Sequence, residues 1–285
     1  MVNESKKYWE KFWINQDLTE HKDSTNSWYK FVVKSNHDSI LKIIKDNFKN
    51  LNNLNMIEVG CGSAKFTKYM INEINCNYTI SDLNENILTR TKKIIQDSQN
   101  INIKTNKIDL SKTNNLKDSY DVVFSGGVLE FFKDIENPIK NMFDLTNKNG
   151  ICIAIVIPRK ISSQSLGNIQ KSIIYFFRDL IKKREIPKNI FYSHLDKNTF
   201  INSYSYGYYE KKFINSGFKS VKVFSLVPFP SFAIGKKLDS KYANLLNNKF
   251  KNVVDSFNNS SNVFNKFIGS SYLIYAKKTF LELYN

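Results

Sequence analysis

The stretch Asn55-Met56-Ile57-Glu58-Val59-Gly60-Cys61-Gly62-Ser63-Ala64-Lys65-Phe66-Thr67 leaves the chain few folds to choose from. An apolar run carries an acidic residue at its end, two glycines follow one residue apart, and a helical pattern then begins. This reads as strand, tight turn and helix start. Glycines let such a turn bring backbone close to a ligand, and the new helix offers unpaired N–H groups at the positive end of its dipole. That is the first βα corner of a doubly wound α/β domain, where nucleotide-like ligands bind outside the carboxyl ends of the strands.

From residue 55 strand and helix alternate, the pattern of a parallel sheet with crossover helices. Strands are expected at about 55–59, 77–81, 102–108, 120–125 and 151–157, with helices near 64–74, 84–97 and 137–146 between them. Asn84 and Glu85 supply a cap and a first-turn acid for the second of these helices. Asn149-Gly150 reads as a turn into strand five, which Pro158 stops. Strands one, four and five are near-continuous apolar runs, as expected where helices cover both faces of a sheet.

The rhythm breaks after Pro158. Residues 159–200 read as an excursion around a basic amphipathic helix over 169–184. A helix over 206–216, closed by Gly217, leads to strand six through Val221, Val223 and Leu226. A helix over 237–257 and a final strand over 271–276 follow, the last pair of strands forming a hairpin-like edge. At the other end, Tyr8, Trp9, Phe12 and Trp13 form an aromatic stripe, and a second helix runs from Trp28 to Phe48. The expected architecture is α/β: a doubly wound, mostly parallel seven-stranded sheet with an antiparallel last strand. Residues 1–50 would be an N-terminal helical lid, 51–158 the ligand-binding core, 159–210 a helical substrate-lid insertion, and 211–285 the C-terminal part of the core sheet.

The corner selects among nucleotide-like ligands. A dinucleotide fingerprint is G-x-G-x-x-G, but Lys65 stands in the third glycine's place. Glu58 lies two residues before Gly60, poorly placed for a pyrophosphate and well placed for an ammonium group. Asp82, at the tip of strand two, suits both hydroxyls of a ribose. Asp109, at the tip of strand three, suits the exocyclic amine of a purine. An ammonium, a ribose diol and an adenine without phosphates describe S-adenosylmethionine (SAM).

On these residues the chain resembles the class I, Rossmann-like SAM-dependent methyltransferases. Glu58-Val59-Gly60-Cys61-Gly62 matches their first motif, Asp82-Leu83 the ribose motif, Ile108-Asp109-Leu110 the adenine motif, and Asp121 to Glu130 the fourth-strand motif. Ser216-Gly217-Phe218 before strand six and the last strand are similar too. The resemblance covers about 50–157 closely and 205–278 loosely. It implies that Glu58 orients the methionine amino group, Gly60, Cys61 and Gly62 form the corner around the cofactor, Asp82 and Leu83 take the ribose, and Asp109 with Leu110 takes the adenine. Ser125 or Gly126 would meet the methionine part through backbone, and Leu129 would lie near the sulfonium. Tyr8 or Trp9 would cover the cofactor. The demethylated product would be S-adenosylhomocysteine (SAH).

Methyl transfer needs alignment and dryness, and a general base only when the acceptor arrives protonated. Glu130 and His194 are the candidate bases. Relatives often carry a His after the fourth-strand acid, whereas Phe131 and Phe132 stand here and suggest an apolar acceptor cleft. His21 and His37, in the N-terminal helical region, have weaker claims.

The remaining signals bear on partners. Cys61, Cys76 and Cys152 form no C-x-x-C pair, so neither a disulfide framework nor a zinc site is expected, and no His/Asp/Glu cluster has metal-ligand spacing. The formal net charge of +16 comes mostly from scattered Lys, without an Arg-rich block. The N/D-P-P-Y/F motif of enzymes that methylate base amines is absent, since Ile139-Lys140 follows Asn137-Pro138. These features disfavour nucleic acid as a partner. No apolar run approaches the roughly 20 residues of a membrane span, and the polar N-terminus lacks a signal-peptide core, so a cytoplasmic protein is expected. The expected function is methyl transfer from SAM to an O, N or S atom of a small metabolite. The alternatives are a lipid or quinone methyltransferase docking on membranes through 169–184, and an RNA-binding or RNA-modifying SAM-binding protein.

Overall fold

The computed structural model describes residues 9, 27–99, 101–112, 119–156, 204–229, 235–262, 265 and 269–279. Tyr8, His194, most of the 159–210 insertion and the 169–184 helix lie outside them.

A 21-residue helix α1 (Ser27–Asn47) precedes the sheet. Then come β1 (Asn55–Val59), α2 (Lys65–Ile71), β2 (Asn77–Asp82), α3 (Glu85–Gln99), β3 (Lys104–Lys107) and β4 (Tyr120–Gly126). A 3-10 turn over Leu129–Phe131 leads to α4 (Glu136–Leu145) and β5 (Thr146–Val156). The described chain resumes with α5 (Tyr206–Asn215), β6 (Ser220–Leu226), α6 (Gly235–Lys249), α7 (Lys251–Asn258) and β7 (Ser271–Lys277). The seven strands form one sheet in the order β3-β2-β1-β4-β5-β7-β6. Strands β1 to β5 pair in parallel, and β7 runs antiparallel to both β5 and β6. The strand order runs outward from β1 in both directions, through β2 and β3 on one side and β4 and β5 on the other. This makes the topological switch point at which open α/β sheets bind ligands.

Period-2 alternation sends successive side chains to opposite layers. Met56, Val122, Phe124, Ile151 and Ile153 face the layer built by α1, α2 and α3, together with Ile40, Ile44, Phe66, Met70 and Ile95. Ile57, Val123, Cys152, Ala154 and Ile274 face the layer of α4 and α5, with Ile139, Met142, Leu145, Tyr209 and Phe213. Both faces of the central strands are covered, which is why these strands read as unbroken apolar runs.

Three expectations shift. Strand β3 spans only Lys104–Lys107, so Asp109 sits two residues past its end. The Asn149-Gly150 pair is not a turn before β5 but a kink inside it. Thr146 already pairs with Tyr120, and the register then shifts between Tyr120 and Val122. Asn149 takes a left-handed φ of 63°, and a Cβ on Gly150 would lie 3.0 Å from the Asp121 carbonyl oxygen. The long C-terminal helix is two helices, broken at Phe250. The antiparallel last strand is present, and with β6 it makes the expected edge pair, β7 lying between β5 and β6. Leu273, Ile274 and Ala276 are fully buried there, while β6 takes the edge with Lys222 exposed.

Candidate cofactor and acceptor site

The β1–α2 corner is held from three directions. The Cys61 N–H donates to the Ser81 carbonyl (2.9 Å), the Gly62 N–H to Asp82 Oδ2 (3.1 Å), and the Thr91 hydroxyl to the Gly62 carbonyl (2.8 Å). Gly60 and Gly62 have φ of 69° and 49°, and Ala64 follows with a φ of 50°. Gly60 is required twice over, since a Cβ there would also sit 2.5 Å from Val128 Cγ2 in the loop after β4. The Ser125 hydroxyl donates to the Val59 carbonyl (3.2 Å) and backs the corner from behind.

Below the corner, Glu58 is 6% exposed. Its Oε2 accepts from the Thr67 N–H (2.9 Å) and the Thr67 hydroxyl (2.7 Å), which ties the carboxylate to the start of α2. Burial pushes its pKa up to about 7 in spite of these donors. At the tip of β2, Asp82 accepts from the N–H groups of Gly62 and Asn84 (3.0 Å), and burial raises its pKa against their pull. Asp109 Oδ1 accepts from the N–H (3.0 Å) and hydroxyl (2.6 Å) of Ser111.

These tips open onto one cavity of about 430 Å³, within the range of roughly 300–1,000 Å³ usual for small-ligand sites. Of the residues singled out from the sequence, Trp9, Glu58, Gly60, Cys61, Asp82, Leu83, Asp109, Leu110 and Gly126 line it. Phe131 and Phe132, the pair in the usual histidine's place, line it as well, and Trp9 meets Phe131 edge-on at 4.8 Å. Gly62, Ser125, Leu129 and Glu130 do not appear among the lining residues. Leu129 belongs to the α4–α5 core layer. Glu130 is 2% exposed in the 3-10 turn, its Oε2 without a hydrogen-bond partner, and burial pushes its pKa up to about 7.

The sequence placed a helical lid over 1–50 and left His37 with only a weak claim, but it did not single out Val33 and Asn36 as cavity-lining residues of α1. Val33, Asn36 and His37 line the cavity together with Lys65, Phe66, Phe124 and Ile155. The spacing 33, 36, 37 puts the three on one helix face, a signal the sequence did carry. His37 packs on Tyr69 (4.8 Å between rings) and Phe66 (6.1 Å). Burial, then the nearby charge of Lys65, lowers its pKa to about 4 against the opposing pull of Asp38, so the imidazole is neutral at physiological pH. Among the described residues no group of three His, Cys, Asp or Glu could hold a metal ion, and no helix is long and apolar enough to cross a membrane.

Comparison with known proteins agrees with this geometry. The chain is 24% identical over 126 residues to the malonyl-[acyl-carrier protein] O-methyltransferase of Bacillus cereus, a match covering 44% of this chain and 45% of that relative. The matched region is thus less than half the length of that protein. Two solved structures share the fold. A phosphoethanolamine N-methyltransferase 2 of Haemonchus contortus, in complex with S-adenosyl-L-methionine, superposes with a TM-score of 0.52 at 13% identity, over 85% of this chain and 53% of that one. A methyltransferase from Haloferax volcanii, solved with its Trm112 activator, gives 0.51 at 10% identity, over 87% and 92%. The model of the methyltransferase domain family matches residues 57–152. That match runs from β1 into β5, the strands whose tips form the floor of the cavity: over this region the chain is similar to methyltransferase domains, and its fold is the Rossmann-like one of the SAM-dependent methyltransferases.

Proposed function

We propose that the cavity binds SAM along the strand tips and that the chain transfers its methyl group to an O, N or S atom of a small metabolite seated against α1. The observation that carries this reading is the continuity of one cavity from Asp109 and Asp82, past the corner, to Val33 and His37. The donor set fits the cofactor. Each carboxylate oxygen accepts about two bonds, so Asp82, held by the Gly62 and Asn84 N–H groups, keeps accepting positions for ribose hydroxyls. Leu83, Ile87, Ile108 and Leu110 give the slot for the adenine apolar walls, and Asp109 stands at its end. Glu58, close to half-ionised at neutral pH, would charge fully beside an ammonium group.

When bound, SAM supplies a sulfonium that makes its methyl group electrophilic. The chain's own part is to orient the two reactants and exclude water. Trp9, Phe131 and Phe132 form the apolar cover suited to the second task. The O-methyltransferase activity of the Bacillus cereus relative supports oxygen among the three acceptor atoms.

Titration calorimetry with SAH tests the reading. Binding at micromolar concentration is expected, and Asp82→Ala should weaken it by at least about tenfold, the loss of one charge-assisted hydrogen bond pair. An absence of SAH binding overturns the function, and unchanged affinity in Asp82→Ala overturns the ribose assignment.

A further inference from the structure

Two buried polar groups stand unpaired behind one wall of the cavity. Glu130 is in the turn after β4, and its Oε2 has no hydrogen-bond partner. Tyr209, in the first turn of α5, is fully buried, and its hydroxyl lacks a partner as well. The Tyr204 N–H pulls on that hydroxyl without closing a hydrogen bond. The two groups are neighbours, since the charge of Glu130 is felt at Tyr209. Tyr272 of β7, paired with Val156 at the end of β5, is the other titratable group felt there. A buried polar atom left unpaired is costly, so two at one place ask for a shared partner.

Their place in the fold connects them to the cavity. Glu130 stands in the chain between Gly127 and Phe131, and both of these line it. A side-chain carbon built on Gly127 would fall into open space, with Glu130 Oε1 at 3.9 Å as its nearest neighbour. That gap leaves room for a water between the glycine and the carboxyl, and Glu130 and Tyr209 supply two of the polar partners a buried water needs. The other acids and the imidazole at the cavity are less suited to receive a proton. His37 is weakly basic, its pKa lowered to about 4. Glu58 is tied to Thr67, and Asp82 and Asp109 stand at the tips proposed for the ribose and the adenine. Glu130, raised to about 7 by burial, matches a base that works at neutral pH.

We propose that Glu130 is the proton acceptor of methyl transfer, reached through a water beside Gly127 and positioned by Tyr209, and that the methyl acceptor is a hydroxyl compound. This rests on the methyltransferase reading above and names the substrate class for it. The hydroxyl oxygen attacks the methyl carbon, and the carbon–sulfur bond breaks as the carbon–oxygen bond forms. The hydroxyl proton passes to the water, which hands one of its own to the Glu130 carboxylate. The products are the methyl ether, neutral SAH and a neutral Glu130 carboxyl. A carboxylate or thiolate acceptor has no proton to give up and would be repelled by Glu130 in its charged form.

The test compares phenol with thiophenol, two probes of one shape, with the full chain and SAM at pH 8. Phenol keeps its proton at that pH, whereas thiophenol is already ionised. Mass spectrometry follows the two methylated products. Glu130→Gln should lower the phenol rate relative to the thiophenol rate by about hundredfold or more, the usual worth of a general base. Tyr209→Phe should move that ratio the same way. A second measurement needs no turnover. In protein labelled with carbon-13 at the glutamate carboxyls and saturated with SAH, the resonance lost in Glu130→Gln should titrate near 7 and move to a higher pKa in Tyr209→Phe. It should also shift on addition of phenol and stay in place with toluene. SAH binding by each variant shows that it is folded. An unchanged ratio in Glu130→Gln, a Glu130 resonance blind to phenol, or SAH binding without methylation of phenol overturns the proposal and leaves the methyltransferase reading standing. If SAH itself does not bind to the parent chain, the function fails first.

Discussion

Glu58 and Glu130 are both buried carboxyls pushed up to about 7, yet they stand in different surroundings. Glu58 has two donors from Thr67 and faces the cavity, whereas Glu130 Oε2 has no partner and lies behind it. Native Glu130 holds its proton more tightly than the ordinary value of 4.5, so the native state binds more protons than the unfolded chain between pH 4.5 and about 7. Its contribution to stability therefore falls as pH rises through that window and is worst above 7, where a bare carboxylate must stay buried. Glu130→Met should stabilise the protein by about 2–3 kcal/mol at pH 8, with a much smaller effect at pH 5. Urea unfolding at the two pH values measures this, and an equal change at both would refute the assignment. Residue-scale chemistry was partly legible. Glycines and acids at strand ends announce themselves because strand, turn and helix start are local. That Gly60 must also clear Val128 was not visible, since the contact joins positions far apart in sequence. Gly60→Ala should cost about 2–4 kcal/mol, combining left-handed strain with overpacking. Adding Val128→Ala should return only the packing part. Full recovery in the double variant would show that the φ of 69° carries no strain.

At the scale of elements, α1 was legible as a helix within a lid, whereas the face it would turn to the cavity was not. Its apolar positions Ile40, Leu41 and Ile44 gave the core-facing stripe correctly. Which loop or sheet edge the neighbouring face would meet depends on how the helix docks, and that is fixed by its far partners. Asn258 at the end of α7 is one of them. Its amide donates to Ser35 Oγ (2.7 Å) and to Ser39 Oγ (3.3 Å), and its Oδ1 accepts from the Val227 N–H (2.8 Å), the first and last of these in a buried setting. Tyr275 of β7 adds a bond from its hydroxyl to Asn47 Oδ1 (2.8 Å) at the other end of α1. Residues at positions 35, 258 and 227 thus set the angle at which Asn36 and His37 reach the cavity. Asn258→Ala should cost about 2–3 kcal/mol, because it leaves the Val227 N–H and the Ser35 hydroxyl buried and unpaired. Ser35→Ala added to it should cost much less than Ser35→Ala alone, a coupling of about 1 kcal/mol in a double-mutant cycle. Additive losses would mean that the Ser35–Asn258 bond does not hold the helix.

The whole molecule shows why the methyl donor was easier to read than the acceptor. The proposed donor site is drawn from consecutive strand tips of one motif series, at positions 58–62, 82–83 and 109–110, and parallel topology brings those tips together whatever covers them. The opposite end of the cavity, proposed for the acceptor, is assembled from α1, the start of α2, the end of β5 and Trp9, elements that meet only in the finished fold. The sheet is the shared member. Its central strands contribute alternate side chains to both core layers, so neither layer can open without exposing the other's strands. The described domain should accordingly unfold in one transition, and a ligand gripping the tips of β1, β2 and β3 together with the β4 loop should stabilise both layers at once. At a free SAH concentration of about 100 times its dissociation constant, the gain is about 2.7 kcal/mol. For a chain of this size that corresponds to a rise in melting temperature of about 5 °C or somewhat more. Differential scanning calorimetry with and without SAH checks it. The expected record is a single peak that moves as a whole, with a shift largely lost in Asp82→Ala. A peak that splits, with one component following SAH and the other staying in place, would show that the two layers are separate cooperative units and that the cavity belongs to only one of them.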